Sequence, residues 1–274
     1  ILPDPELQLF LPFILRNKVA VISDVHEAYE LVVGDRSWIR DWFRPIVTFS
    51  LRVLARSRNR WSFAVLIADK SIDTECGVYV SNRPNPSDLQ VARNPEKLRS
   101  LVYVGDIRKS RGLEEMIELV KITPGVTLDL IGPSDNKMYL LNMIDDKGLT
   151  ERIHWHGRLP YRESWEMAST AIAGLCFLQP TPAFKTAIST KIWEYWAVGI
   201  PVLASKLDSQ SKLIEESGGG FVGEVKDLTS IVQMLAQDPD TAYEIGQRGH
   251  NFYRNHDDGS EERLIRAVSL GIER

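Results

Sequence analysis

The sequence predicts an α/β protein of two domains, the first an incomplete parallel sheet and the second a complete doubly wound one. Three observations carry this. The 274 residues are 43% hydrophobic and 26% charged, a globular composition with length for two modest domains. From Arg99 onward, short β-branched runs alternate with amphipathic stretches, as βα units on a parallel sheet require. Before Arg99 the same pattern yields only three strand-like runs.

Those three runs are residues 19–22, 64–67 and 78–80, with one long helix between the first two. A three-stranded parallel sheet leaves an edge unpaired and apolar surface exposed. The chain also opens on Ile1 rather than Met. The expectation is therefore that residues 1–92 form part of a first, acceptor-side domain whose start is missing. Residues 82–95, with Pro84, Pro86, Pro95 and two Asn-Pro pairs, read as an interdomain linker.

The second domain is expected over residues 93–256. Residues 100–104 form its first strand, and Leu113, Met116, Ile117 and Val120 then recur at i, i+3, i+4, i+7, one apolar face of a helix. Strands follow over 126–131, 153–156, 172–178, 201–204 and 220–222. Helices are expected over 137–146, from Tyr161, over 190–198, over 210–216 and over 228–236, completing about six βα units. Asp257, Asp258 and Gly259 make a turn signal. Beyond it Leu264, Ile265, Val268 and Ile272 fall near helical spacing, so residues 257–274 are expected as a separate terminal helix.

Composition excludes several function classes. A net charge of −4 gives no general attraction to nucleic acid or anionic membrane, so any basic site must be local. Cys76 and Cys176 are 100 positions apart without ligand-spaced partners, which argues against a metal clip and for a cytoplasmic protein. No stretch reaches the roughly 18 apolar residues of a spanning helix, leaving peripheral contact with the inner membrane face as the only membrane option. The basic, aromatic stretch from Arg36 to Arg60 supports that option, with Arg40 and Arg44 and also Trp38 and Trp42 at i, i+4. A solvated helix that turns its aromatics inward fits equally well.

Two segments carry chemistry. The first, Gly105-Asp-Ile-Arg108-Lys109-Ser-Arg111-Gly112, lies between a predicted strand and helix. Glycine lets the backbone approach a phosphate there, helix N–H groups point at it, and cations neutralise it. It matches neither a Walker loop nor the dinucleotide fingerprint. In the second, Thr190 to Val202, Lys191 and Glu194 are three apart and share a helix face toward the carboxyl edge of the sheet. A surface ion pair is the alternative reading.

Tyr103-Val-Gly105 with Arg111-Gly112, then Lys191, Glu194-Tyr195, Ala197, Gly199 and Pro201-Val202, resemble glycosyltransferase family four in order and spacing. The resemblance covers residues 101–222, and Asp4-Pro5-Glu6-Leu7 and Asp24-Val25-His26-Glu27 are similar to pieces of the family's first domain. It implies two Rossmann-like domains, the GT-B fold. In that fold the C-terminal domain holds a nucleotide sugar, the N-terminal one presents the acceptor, and transfer retains the anomeric configuration. It implies that Arg111 binds the diphosphate, assisted by Arg108 or Lys109, and that Glu194 hydrogen-bonds the ribose. No cofactor is implied. The donor is a UDP- or GDP-sugar and the acceptor a glycan, a lipid-linked molecule or a small molecule, with no nucleic-acid partner.

The sequence departs from the family in two places. Thr186 stands where a second glutamate, eight positions before Glu194, is common, so the donor-sugar contacts rest on Thr186. Pro3 stands where related sequences show His before Asp-Pro-Glu. His26 remains a candidate for the acceptor side, or for a packed strand-end histidine. Gly157-Arg158, after a predicted strand, is expected near the nucleobase. His154 and His156 share a strand face without a third metal ligand and read as structural. Asp238-Pro239-Asp240 spells a D-x-D metal motif but sits at a helix start, which favours capping.

The expected function is metal-independent, retaining sugar transfer from a nucleoside diphosphate sugar to a hydroxyl, in surface polysaccharide, glycolipid or secondary-metabolite glycosylation. A nucleotide-sugar 2-epimerase and a non-catalytic nucleotide-sugar-binding fragment are the alternatives.

Overall fold

The computed structural model of the chain describes residues 1–2, 5–15, 20–35, 39–68, 72, 74, 77–85, 89–94, 100–185 and 187–272. Pro3, Asp4, Arg36, Trp38, Cys76, Pro86, Pro95 and Thr186, singled out above, lie outside the described residues. The chain divides into two compact units, Ile1–Asn82 with Asp257–Arg274, and Arg83–His256.

In the first unit a 3-10 turn (Pro5–Phe10) runs into α1 (Leu11–Leu15). Strand β1 (Ile22–Val25) leads to α2 (Tyr29–Val32), and the long α3 (Arg44–Trp61) precedes β2 (Ala64–Ile67) and β3 (Gly77–Tyr79). The sheet is parallel, in the order β1-β2-β3. β1 lies later than the apolar run 19–22 predicts, because two polar residues join the ladder: Ser23 pairs with Val65 and Asp24 with Leu66. Burial of Ser23 is tolerated because its hydroxyl meets that of Ser62 at 2.7 Å. The outer edge of β1 is partly covered, since Leu2 N–H donates to the Ile22 carbonyl and Leu2 O accepts from Asp24 N–H.

The second unit holds β4 (Ser100–Val104), α4 (Leu113–Ile122), β5 (Thr127–Ile131), α5 (Lys137–Asp146), β6 (Ile153–Gly157) and α6 (Tyr161–Ala168). It continues through β7 (Ala173–Cys176), α7 (Thr190–Val198), β8 (Val202–Ala204), α8 (Asp208–Ser217), β9 (Gly220–Val222), α9 (Val225–Gln237) and α10 (Pro239–Asn255). Six parallel strands in the order β6-β5-β4-β7-β8-β9 make the doubly wound sheet. The strand order reverses between β4 and β7, the place where such sheets bind ligands. One buried cluster joins Leu101, Leu128 and Leu175 to α4, α5 and α9, and the other joins Val102, Ile131 and Val202 to α6, α7 and α8.

Of the residues read as linker, 83–85 and 89–94 belong to the second unit. Leu89 is buried in its core, Tyr253 donates to the Pro84 carbonyl at 2.8 Å, and Arg83 bonds the His256 carbonyl and lies over the Trp193 ring. The division thus falls at Asn82/Arg83 rather than at 92/93. The terminal helix α11 (Ser260–Ile272) does not stand apart. Leu264, Ala267 and Val268 pack on Ile22, Ala64 and Leu66 of the first sheet, and Arg263 donates to the Tyr79 carbonyl at 2.7 Å.

Candidate functional site

Above the carboxyl ends of β4, β5 and β6 lies a cavity of about 580 Å³, lined among others by Gly105, Gly132, Arg158, Tyr161, Lys191 and Glu194. Its volume lies in the range of small-molecule sites. Gly105 follows β4 at φ +139°, a conformation that L side chains rarely adopt, and the end of the Lys191 side chain crosses beside it, with Cε 2.5 Å from where a Cβ would stand. Gly132 makes an equally close approach, with Gly105 O 2.0 Å from its Cβ position. Two adjacent strand ends are thereby held open, with backbone forming the floor.

Lys191 and Glu194 sit one turn apart on α7. The Lys191 ammonium lies 5.5 Å from the centre of the Tyr103 ring. Burial lowers its pKa first, and the charge of Arg111 lowers it further. Burial raises the Glu194 carboxyl, against the opposing pull of Lys191 and a hydrogen bond from the Tyr161 hydroxyl at 3.3 Å. Both shifts describe charged groups withdrawn from water without an ion pair within 4 Å among the described residues, a costly state that a bound polar ligand relieves.

Arg111 ends a 3-10 turn (Lys109–Arg111) just before α4. Its guanidinium lies over Phe184 at 4.8 Å, and its Nε is buried without a hydrogen-bond partner among the described residues. The next residue, Gly112, adopts φ +81°, and a Cβ there would strike Phe177 O at 2.0 Å. The turn that aims Arg111 is therefore packed directly on the chain leaving β7. The other two cations of the loop are engaged. Arg108 pairs with Asp106 at 2.6 Å, and Lys109, largely exposed, pairs with Glu114 at 3.0 Å.

The remaining candidates are dispersed. Gly157 closes β6 at φ +67° and its carbonyl accepts from Gly132 N–H at 2.7 Å, while Arg158 reaches the cavity wall. His26 follows β1 in the first unit, 3.3 Å from Asp24. His156 meets Asp129 at 2.7 Å, and no group of three or more His, Cys, Asp or Glu stands ready for a metal ion among the described residues. Asp238 caps α10, accepting from Thr241 N–H at 3.1 Å and from its hydroxyl at 2.6 Å. Those bonds hold its carboxyl below the usual range. Sequence reasoning missed Tyr161 as a partner of Glu194, because the two are 33 positions apart and no motif links them.

The family model for glycosyl transferases group 1 matches residues 85–251, more than half of the chain. The chain belongs to the glycosyl transferases group 1 family. The match includes every residue named around the cavity. A relative in this family's activity class, the lipopolysaccharide core biosynthesis glycosyltransferase LpsE of Rhizobium meliloti, is 20% identical over 153 residues, 55% of this chain and 43% of LpsE. The match thus spans less than half the length of that curated relative. Anabaena Alr3699/HepE in complex with UDP superimposes with a TM-score of 0.72 at 16% identity, over 97% of this chain and 76% of HepE. S. aureus TarM, solved with fondaparinux, α-GlcNAc-glycerol and UDP, gives 0.71 at 14% identity, over 96% of this chain and 54% of TarM. At these identities the likeness shows the fold: α/β with two Rossmann-like domains, as in GT-B glycosyltransferases. The comparisons do not favour the epimerase alternative.

Proposed function

We propose that the chain binds a nucleoside diphosphate sugar in the cavity above β4, β5 and β6 and transfers its sugar to a hydroxyl acceptor. The observation that carries this reading is the spacing of unlike groups along one wall. Lys191 is backed by Arg111 at the phosphate end, and Glu194 is held by Tyr161 one helical turn away. A ribose diphosphate presents hydroxyl donors and anionic oxygens in that order. The Glu194 carboxylate accepts from the ribose hydroxyls, and Arg158 borders the base. UDP is the nucleotide we favour, because HepE and TarM are solved with UDP.

In the reaction the bond from the anomeric carbon to the diphosphate oxygen breaks and a bond to the acceptor oxygen forms. The acceptor hydroxyl loses its proton, and the nucleoside diphosphate leaves with the bonding electrons. Fixed cations at the leaving diphosphate stabilise that charge as it develops. Arg111 and Lys191 are assigned this role, above the backbone floor of Gly105 and Gly132, and Gly157 is assigned to the donor at the end of β6. Arg108 and Lys109 are secondary, since each already has a carboxylate partner. Thr186 and His26 are assigned to the donor sugar and the acceptor side. Retention of anomeric configuration follows from the family-four resemblance. The pathway we assign is surface polysaccharide or glycolipid synthesis, the class of LpsE.

Calorimetry with UDP and GDP, followed by an assay of radiolabelled sugar release and transfer, tests the proposal. Saturable UDP binding with transfer to a hydroxyl acceptor is the expected result. Binding without transfer under any acceptor reduces the chain to a nucleotide-sugar-binding module, and failure of both nucleotides to bind removes the reading.

A further inference from the structure

Strands β4 and β7 meet where the strand order reverses, and their pairing stops short. β4 pairs with β5 along five residues, Ser100 to Val104, but with β7 only at Leu101–Ala173 and Val102–Gly174. Both strands run on past that point, to Val104 and Cys176. Continued in the same register, a parallel ladder would carry the Val104 N–H to the Leu175 carbonyl. The Tyr195 hydroxyl of α7 stands in that place instead. Val104 N–H donates to it at 3.2 Å, and it lies 3.3 Å from both the Leu175 and the Val102 carbonyls, either of which can accept its proton.

The surrounding residues make room for this insertion. A Cβ on Gly174 would stand 2.4 Å from Cδ1 of the Tyr195 ring, so the ring reaches the ladder across the residue of β7 that has no side chain. Tyr195 is fully buried, and its ring packs edge-on against Trp165 with 5.5 Å between centres. Burial pushes the phenol well above its ordinary pKa, so it stays a neutral hydroxyl that can both donate and accept. Two hydrogen bonds in series span more than the roughly 2.9 Å of one amide–carbonyl bond, so the hydroxyl keeps the backbone groups paired while it widens the gap. Val104 leads into Gly105, and Glu194 precedes Tyr195; these two glycine and glutamate positions line the cavity together with Val104 and Lys191. We propose that Tyr195 is a positioning residue for the nucleotide: its hydroxyl replaces the last ladder bond between β4 and β7, parts the strands where their order reverses, and so sets Gly105 at the spacing from Lys191 and Glu194 that the donor requires. The functional half of the inference rests on the donor-site reading, whereas the parting of the strands is open to test without any ligand.

Tyr195→Phe in the full 274-residue chain keeps the ring and removes the hydroxyl. A crystal structure of the variant should show β4 and β7 drawn together, with the Val104 N–H within hydrogen-bond distance of the Leu175 carbonyl. Calorimetry at a temperature where the variant is folded should show UDP binding weakened about tenfold, the fold-change of one hydrogen bond. Trp196→Phe is the control for lost stability alone. It removes another buried hydrogen bond of α7, from the indole N–H to the Gly219 carbonyl at 2.8 Å, and Trp196 does not line the cavity. That variant should unfold at a lower temperature and keep its UDP affinity. Equal losses of UDP affinity in the two variants would reduce Tyr195 to a structural role and overturn the proposal. Unchanged affinity in Tyr195→Phe would overturn it too, as would a variant structure in which water takes the place of the hydroxyl and the strands stay apart. A wild-type chain that binds no UDP would sink the donor-site reading and the functional half with it, while closure of the strands in the variant would still establish the hydroxyl as the wedge between them.

Discussion

Lys191 carries the clearest consequence at the scale of single residues. Its pKa lies below the ordinary 10.5 because burial and Arg111 both disfavour the ammonium. A bound diphosphate reverses that balance, so binding raises the pKa. Between the depressed value and 10.5, the complex therefore holds a proton that the free protein lacks. UDP binding should then take up protons at alkaline pH, and affinity should fall as pH rises through the free-protein pKa. Calorimetry in buffers of different ionisation enthalpy reads the uptake directly, and a buffer-independent heat throughout the alkaline range would contradict it. The same shift fixes a stability slope. The unfolded chain binds more protons in this window, so the contribution of Lys191 to stability rises with pH there. Arg111→Ala should weaken UDP binding by about 1.5–3 kcal/mol, the range for hydrogen bonds to charged groups. Unchanged affinity would remove Arg111 from the site. Tyr161→Phe removes the bond that favours ionised Glu194, and should cost about 0.5–1.5 kcal/mol of UDP affinity. If Glu194 reads the ribose, the loss shrinks when 2′-deoxy-UDP replaces UDP.

Among the elements, the turn from β4 into α4 shows how backbone conformation sets the site. Gly112 combines a left-handed conformation with contact against Phe177, so Gly112→Ala must strain the backbone and move the β7 exit together. A loss of at least about 1–3 kcal/mol in denaturant unfolding is expected, the range for a residue forced into such a region. Unaltered stability would show that the turn has another conformation open to it. The sequence made much of this arrangement legible, and the reason differs by element. Strands β4, β7 and β8 are short, mostly apolar runs whose buried residues point to both faces, and the spacing of Lys191 and Glu194 follows from the helix alone. The apolar run 19–22 ends before β1 does, because Ser23 and Asp24 are polar and only the fold brings Ser62 to the buried Ser23 hydroxyl. Arg108 and Lys109 look as free as Arg111 in a linear reading. Only the bend of the loop brings Asp106 and Glu114 onto them, and only the fold carries Tyr161 to Glu194.

At the scale of the whole molecule, the two units differ in how much core each owns. The second unit encloses both large hydrophobic clusters, and every cavity residue discussed lies between Val104 and Glu194, inside that unit. The smaller clusters of the first unit sit on a three-stranded sheet, and one of them is completed by α11 from the far end of the chain. Among the described residues, both large clusters are made only of residues of the second unit. A chain of residues 83–256 should therefore fold cooperatively by itself and bind UDP within a few-fold of the affinity of all 274 residues. Sugar transfer, by contrast, should be lost, since acceptor presentation is assigned to the first unit. Removing residues 257–274 should have the opposite pattern: UDP affinity kept, and the first unit destabilised because Ile22, Ala64 and Leu66 lose their cover. Hydrogen exchange on the shortened chain would locate the damage. Protection lost in β1, β2 and β3 with β4 to β9 intact is the expected pattern, whereas loss across both sheets would mean that the second unit does not fold independently.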